Sequence, residues 1–187
     1  DLHSFPTRRS SDLDVYGQLL TPDGRRGWGP GGIPLCAADG SQRNVVAVSD
    51  GEGGAYVAWV DTRDTFDDIY VQRVDADGSL LWGEDGRPVG VGPGVQRGPA
   101  LSVRDGHLWV AWHDYRRESR SQTLQDIYVQ SFDGQGLALY PPGGSPVATS
   151  PADRTDLAIL ALGSQAWALW TEHHGPRRQA LATRLSP

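Results

Sequence analysis

The run Asp68-Ile69-Tyr70-Val71-Gln72 returns 58 residues later as Asp126-Ile127-Tyr128-Val129-Gln130, and no other feature constrains the fold as strongly. Fifty-four residues before Asp68 stands Asp14-Val15-Tyr16-Gly17-Gln18, and 54 after Asp126 a degraded copy, Ala180-Leu181-Ala182-Thr183-Arg184. A second block keeps the same offsets: Gly24, Gly78 and Gly136 each precede an aromatic by four residues, namely Trp28, Trp82 and Tyr140. Gly32-Ile33-Pro34, Gly86-Arg87-Pro88 and Gly144-Ser145-Pro146 follow in register. A third block is Trp59-Val60-Asp61-Thr62-Arg63, Trp112-His113-Asp114-Tyr115-Arg116 and the eroded Trp170-Thr171-Glu172. Three blocks on one period, 54 to 58 residues for the first two and 53 to 58 for the third, mean a stack of repeated units.

Each unit reads as four short strands. In the second unit they are expected at about 44 to 49, 55 to 62, 68 to 74 and 79 to 82, with counterparts at 99 to 104, 107 to 114, 126 to 132 and 137 to 140. Asp50-Gly51, Asp77-Gly78, Asp105-Gly106 and Asp133-Gly134 supply turns that tolerate positive φ between Val-, Ile-, Tyr- and Trp-rich runs. The second strand carries Ala55, Val57 and Trp59 on one face and Tyr56, Ala58 and Val60 on the other, and the later copies repeat this. A sheet apolar on both faces must lie between two others. The fold class is therefore all-β, with four-stranded antiparallel blades stacked as a β-propeller. The units are a partial blade at 14–40, blades at 41–94 and 95–150, and a partial blade at 151–187. That gives 2 + 4 + 4 + 3 = 13 strands. Closed propellers have about 4 to 8 four-stranded blades, so the propeller is read as incomplete, a piece of a longer chain.

Residues 1–13 stand outside the period and resemble the in-frame translation of a short-read sequencing adapter, so they are excluded from fold reasoning as non-native. All 17 basic residues are arginine and methionine is absent, a mix that fits GC-rich coding and a missing natural start. Acids exceed bases, 23 against 17, which argues against a nucleic-acid partner. The longest apolar run, Leu157 to Leu162, is far below the ~20 residues of a membrane helix, so no membrane insertion is expected. The single Cys36 excludes an internal disulfide framework and reads as a small buried hydrophobe.

The run from Asp68 through Gly78, with Trp82, Gly86-Arg87-Pro88-Val89 and the stretch from Asp50 to Arg63, resembles repeats of large secreted or cell-surface bacterial propeller proteins, loosely sialidase-like. The resemblance covers 14–187 and implies an extracellular or cell-surface location, with the remaining blades of the same longer chain as partners.

Asp61 with Arg63, and Asp114 with Arg116, invite a reading as acid and cation for glycoside chemistry. A catalytic constellation converges once, whereas these recur in each unit, so they are expected to cap or pair strand ends. With Trp28, Trp59, Asp68, Tyr70, Trp82, Trp112, Asp126, Tyr128, Tyr140 and Trp170 they are assigned to the structural repeat. Asp61, Asp64, Asp67 and Asp68 place four carboxylates in eight residues and are calcium candidates, though the equivalent loop from Arg116 to Gln125 is basic. His173 and His174 are expected in a loop after a strand, and His107 and His113 as packed or rim residues sharing a face with Trp109. No catalytic or cofactor-binding residue is assigned. The expected function is a non-catalytic scaffold or interaction module, with protein or carbohydrate as partner. The alternative is a fragment of a propeller-type glycoside hydrolase or sialidase whose catalytic residues lie mostly in missing blades.

Overall fold

A computed structural model describes residues 12–117, 125–149, 151–162 and 165–186. Among them are thirteen strands and no helix. The first sheet pairs β1 (Val15–Gly17) with β2 (Ile33–Cys36). The second runs β3 (Gln42–Ser49), β4 (Ala55–Asp61), β5 (Asp68–Val74) and β6 (Arg87–Gly90). The third repeats that order as β7 (Gln96–Arg104), β8 (His107–Asp114), β9 (Asp126–Phe132) and β10 (Ser145–Ala148). The fourth has β11 (Asp153–Leu162), β12 (Gln165–His174) and β13 (Arg177–Leu185). Every pairing is antiparallel between neighbours in sequence. The row of sheets does not close on itself among the described residues, and the architecture is an incomplete β-propeller. Of the adapter-like segment, residues 1–11 lie outside the described residues; the carbonyl of Leu13 accepts from Gln42 N at 2.7 Å, against β3, which like β7 and β11 is the first strand of its sheet, the inner strand.

The sheets stack in chain order because each second strand is apolar on both sides. Tyr56, Ala58 and Val60 of β4 pack on Leu108, Val110 and Trp112 of β8. Trp109 and Ala111, on the reverse of β8, pack on Ala166, Ala168 and Trp170 of β12. Val57 and Trp59, on the reverse of β4, meet Val15, Leu35 and Cys36 of the first sheet. Filling each interface from two sheets means that no sheet buries its faces alone, which is the physics of repeat proteins.

Two expectations need correction. The fourth strand of a unit is not 79–82 or 137–140 but β6 and β10, further along. Asp75 Oδ1 accepts from the amides of Asp77 (3.0 Å) and Ser79 (2.8 Å), and Asp133 Oδ1 from Gln135 (3.0 Å) and Leu137 (2.8 Å), turns so tight that only single bridges, Val74–Leu80 and Phe132–Ala138, follow them. The chain then drops its aromatic into the interface. A glutamine side chain satisfies the backbone there: Trp82 N donates to Gln72 Oε1 at 2.9 Å, Tyr140 N to Gln130 Oε1 at 2.9 Å, and Trp28 N to Gln18 Oε1 at 2.9 Å. Gly86 and Gly144, both at φ of 75° or 80°, turn the chain back as β6 and β10. A Cβ at either glycine would collide with the indole of Trp59 or Trp112.

The last degraded copy is also shifted by one residue. Trp170 pairs with Leu181, as Trp59 pairs with Tyr70 and Trp112 with Tyr128, so Leu181 and not Ala182 stands at the tyrosine position. The short β12–β13 turn sets that register, and the eroded sequence carried too few identities to fix it.

Candidate functional site

All the charged repeat residues gather at one end of the stack, where β4 passes to β5 and β8 to β9. Asp61 and Asp114 are the last residues of β4 and β8, buried beneath their own loops. The Trp59 indole donates to Asp61 Oδ2 at 2.7 Å, and Arg63 binds the same carboxylate through Nε (3.0 Å), Nη2 (2.7 Å) and its backbone amide (2.9 Å). The Arg63 guanidinium lies 3.9 Å from the Tyr70 ring centroid and donates to the Asp85 carbonyl at 2.9 Å. The third sheet repeats each contact: Trp112 Nε1 to Asp114 Oδ2 at 2.9 Å, Arg116 to Asp114 at 2.7 to 2.9 Å, and Arg116 4.0 Å over Tyr128. Four residue types, the first three at fixed spacing, form one lock. The carboxylate neutralises the cation and accepts the indole proton, and the tyrosine shields the pair. Burial works against ionisation of Asp61, but the Arg63 and Trp59 hydrogen bonds outweigh it and hold the carboxyl below its usual range. Cys36 touches this lock, with Arg63 Nη2 at 3.2 Å from Sγ; burial pushes its thiol up to about 12, which makes it unreactive.

In the fourth sheet the lock is rebuilt. Glu172 takes the aspartate position, and its Oε1 binds Arg154 Nη2 at 2.7 Å, while His174 lies 3.3 Å from Oε2. Arg154, fully buried, stands where Gln42 and Gln96 stand on the other inner strands. The Trp170 indole N–H is buried without a partner. His173 and His174 are strand residues within β12 rather than loop residues, because the β12–β13 ladder runs on through the pairs His173–Arg178 and His174–Arg177. His173 Nε2 lies 3.0 Å from Thr155 Oγ1. His113 on β8 sits 2.9 Å from the Gln125 amide, and burial, followed by the charge of Arg154, lowers its pKa.

The four acidic candidates of the second unit do not converge. Asp61 belongs to the lock, Asp64 is exposed, and Asp67 is held from two sheets, by Arg43 Nη2 at 2.7 Å and Arg97 Nε at 2.9 Å. Asp68 is buried; the Gln96 amide, oriented to donate, reaches its Oδ1 at 2.7 Å. Burial is the main force raising its pKa to about 6, and the charges of Asp64, Asp61 and Asp67 add to it. Among the described residues no group of three or more His, Cys, Asp or Glu side chains is arranged to hold a metal ion. Asp126, at the position of Asp68, is instead clasped by Arg117 through Nε (2.5 Å) and Nη2 (2.6 Å). Most of the remaining loop to Gln125 lies outside the described residues.

Sequence reasoning passed over the inner strands. Each has a bulge at the same place, with Asn44 (φ 55°), Gly98 (φ 61°) and Asp156 (φ 55°) in the left-handed region. These bulges aim Arg43 and Arg97 at Asp67 and Thr155 at His173. The signal was present: Arg43-Asn44 and Arg97-Gly98 recur at 54 residues with a residue tolerant of positive φ second in each pair. The glutamines at 18, 72 and 130 were equally legible, since they end the first three copies of the first block.

No family model and no curated protein matches the chain. Among solved structures it is similar to a thermostable family-43 glycoside hydrolase, with 16% identity and a TM-score of 0.47 over 82% of this chain. It is also similar to an endo-1,4-beta-xylanase from Bacteroides thetaiotaomicron VPI-5482, with 13% identity and a TM-score of 0.40 over 83% of this chain. The chain spans 57% and 62% of the length of these two structures.

Proposed function

We propose that the chain is a non-catalytic scaffold or interaction module of a larger extracellular or cell-surface bacterial propeller protein, engaging protein or carbohydrate. One observation carries this reading. Five of the carboxylates gathered at the loop end are held by arginines: Asp61 by Arg63, Asp67 by Arg43 and Arg97, Asp114 by Arg116, Asp126 by Arg117 and Glu172 by Arg154. Glycoside hydrolysis requires two carboxyl groups facing one opening, one of them with a raised pKa so that it can donate a proton. Asp68 has the raised pKa, but at 3% exposure and bonded to Gln96 it cannot reach a substrate. The charged motif joins strands and sheets instead of serving a reaction.

The test is an assay of the chain on xylan, aryl glycosides and sialosides, with the Asp61→Asn and Asp114→Asn variants in parallel. The scaffold reading expects no turnover by any of them and a loss of stability in both variants. Turnover by the parent that either substitution abolishes at unchanged stability would replace it with the hydrolase reading.

A further inference from the structure

At the end of the strands away from the lock, where β3 turns into β4 and β7 into β8, the second and third sheets face each other across a cleft of about 530 Å³. Both of these sheets carry four strands, so neither wall of the cleft is short of one. On the second sheet it is lined by the cross-strand pair Tyr56 and Arg73. Tyr56 is only 1% exposed, and among the described residues its hydroxyl has no hydrogen-bond partner. The Arg73 guanidinium lies 5.3 Å from the Tyr56 ring centroid and donates to Asp50 Oδ2 (3.1 Å), Glu52 Oε2 (2.8 Å) and the Gly134 carbonyl (3.1 Å).

Asp105 and Asp133 line the cleft from the third sheet. Asp133 Oδ1 is taken up by the amides of its own turn, while its Oδ2 has no partner among the described residues. Arg104 reaches Asp105 at 3.4 Å. Four carboxylates set against two guanidiniums leave the cleft an excess of negative charge and unused acceptor oxygens. Burial raises the pKa of Tyr56, the Arg73 charge opposes the rise, and the charges of Asp50, Glu52 and Asp133 add to it, so all three carboxylates act on the hydroxyl. Among the described residues no three such groups are arranged for a metal ion, which leaves the charge to an organic cation.

This combination occurs once. The equivalent cross-strand pair of the third sheet is Trp109 and Ser131, and the first sheet has Leu19 where the second has Arg73. A feature repeated in each unit belongs to the stack, as the lock does; polar residues that break the repeat around a cleft, with a buried hydroxyl left unpaired, have no such role.

We propose that this cleft binds an aliphatic primary ammonium group, the chemistry of a lysine side chain or of a free diamine. An ammonium brings three donors and one positive charge. Glu52 and Asp133 supply acceptor oxygens and the opposite charge, and the Tyr56 hydroxyl supplies a further acceptor at the buried end. A neutral polyol would leave the excess charge uncompensated. The cleft lies at the other end of the sheets from Asp61 and Asp114, so this binding test and the hydrolase assay fail separately.

The full chain, isotope-labelled for amide chemical shifts, is titrated with cadaverine and with Nα-acetyl-lysine methylamide. Saturable shifts are expected at Glu52, Gly106 and Gly134 and none at Arg63 or Arg116. Either probe binding in this way supports the site, and the tighter of the two identifies its source as a free diamine or a protein side chain. Tyr56→Phe, Glu52→Gln and Asp133→Asn should each weaken binding roughly threefold, and the double variant Glu52→Gln/Asp133→Asn about tenfold or more. Glu52 is exposed and the asparagine keeps the turn-capping oxygen, so these two substitutions leave the fold in place. Absence of saturable shifts with both probes, equal affinity in the double variant, or equal binding of uncharged pentanol overturns the proposal.

Discussion

The third and fourth sheets carry the same tryptophan on the same face and satisfy it in different ways. Trp112 gives its indole proton to Asp114, which Arg116 grips from the loop side. Trp170 has a glutamate two residues on, and that longer carboxylate reaches across the sheet to Arg154 on the inner strand. Three positions differ together: glutamate for aspartate, His174 for the loop arginine, and Arg154 for the inner-strand glutamine. The ion pair is present with its cation on another strand, and the indole N–H has no acceptor. The lock is thus two devices sharing one carboxylate. Charge neutralisation was kept because an uncompensated buried charge is costly; the hydrogen bond to tryptophan, worth about 1 kcal/mol, was not.

Truncating the tryptophans gives the largest expected effect. Trp59→Ala and Trp112→Ala should each cost about 3 to 5 kcal/mol, because a fully buried indole leaves both a transfer loss and a cavity. Trp170→Ala should fall at the lower end, since its ring is a little exposed and its N–H already lacks an acceptor. Denaturant midpoints of the three variants check the order. A larger loss at Trp170 than at Trp112 would break the comparison.

Next comes the relocated charge. Arg154→Met leaves Glu172 buried without its guanidinium partner and should cost about 3 kcal/mol at pH 7. Gln96→Met, at the equivalent position in the third sheet, removes a neutral amide and should cost about 1 kcal/mol. Burial works against ionisation of Glu172, but the Arg154 charge, the His174 hydrogen bond and the Arg154 hydrogen bond outweigh it and hold the carboxyl below its ordinary range. The stability it contributes is therefore present above the ordinary carboxylate pKa and lost as pH falls below it. In Arg154→Met this acid loss should shrink, with His174 keeping the remainder, as urea midpoints between pH 3 and 7 will register.

The blade architecture was legible because it rests on a period, and periods survive divergence: Asp68-Ile69-Tyr70-Val71-Gln72 and its copy at 126 place two strands and two turns at once. The position of each fourth strand was not, because four-residue strands with one proline have no alternation to read, and the preceding Trp82 or Tyr140 looks like strand sequence while a glutamine holds it in a turn. At the candidate site, Asp61 and Arg63 were readable as a pair from their spacing alone. That Asp67 is shared between Arg43 and Arg97 was not, because these residues come from two sheets and depend on bulges whose effect on direction is three-dimensional.

Asp68 and Asp126 extend the comparison to the two complete sheets. The loop residue near Asp126 is Arg117, whereas the loop before Asp68 brings the like charge of Asp64. With its pKa raised to about 6, Asp68 favours the folded state fully only below the unfolded-state pKa, and that contribution is lost as pH rises through 6. Asp68→Asn should therefore gain on the order of 2 kcal/mol over wild type as pH moves from 4 to 7. His113, with its lowered pKa, acts in the opposite direction across part of this window, so the quantity to follow is the difference between variant and wild type. Asp126→Asn should lose stability at neutral pH instead, since it removes the charge that Arg117 holds. Similar pH profiles for the two variants would mean that Asp64 and Arg117 do not set the difference.

The smallest effect isolates the indole hydrogen bond itself. Trp112→Phe and Trp170→Phe remove the same atoms at the same repeat position, so most of the transfer and cavity cost is common to both. What differs is the N–H. At position 112 the substitution also leaves Asp114 short of one donor while Arg116 still binds it; at position 170 it deletes a buried donor that has no acceptor. Removing an unsatisfied buried donor is favourable, and removing one that is bonded to a carboxylate is not. Trp112→Phe should therefore be more destabilising than Trp170→Phe by about 1 to 2 kcal/mol. If the two variants melt with equal losses, the Asp114 bond contributes nothing net, and the drift of the fourth sheet away from the lock had no energetic cost to accommodate.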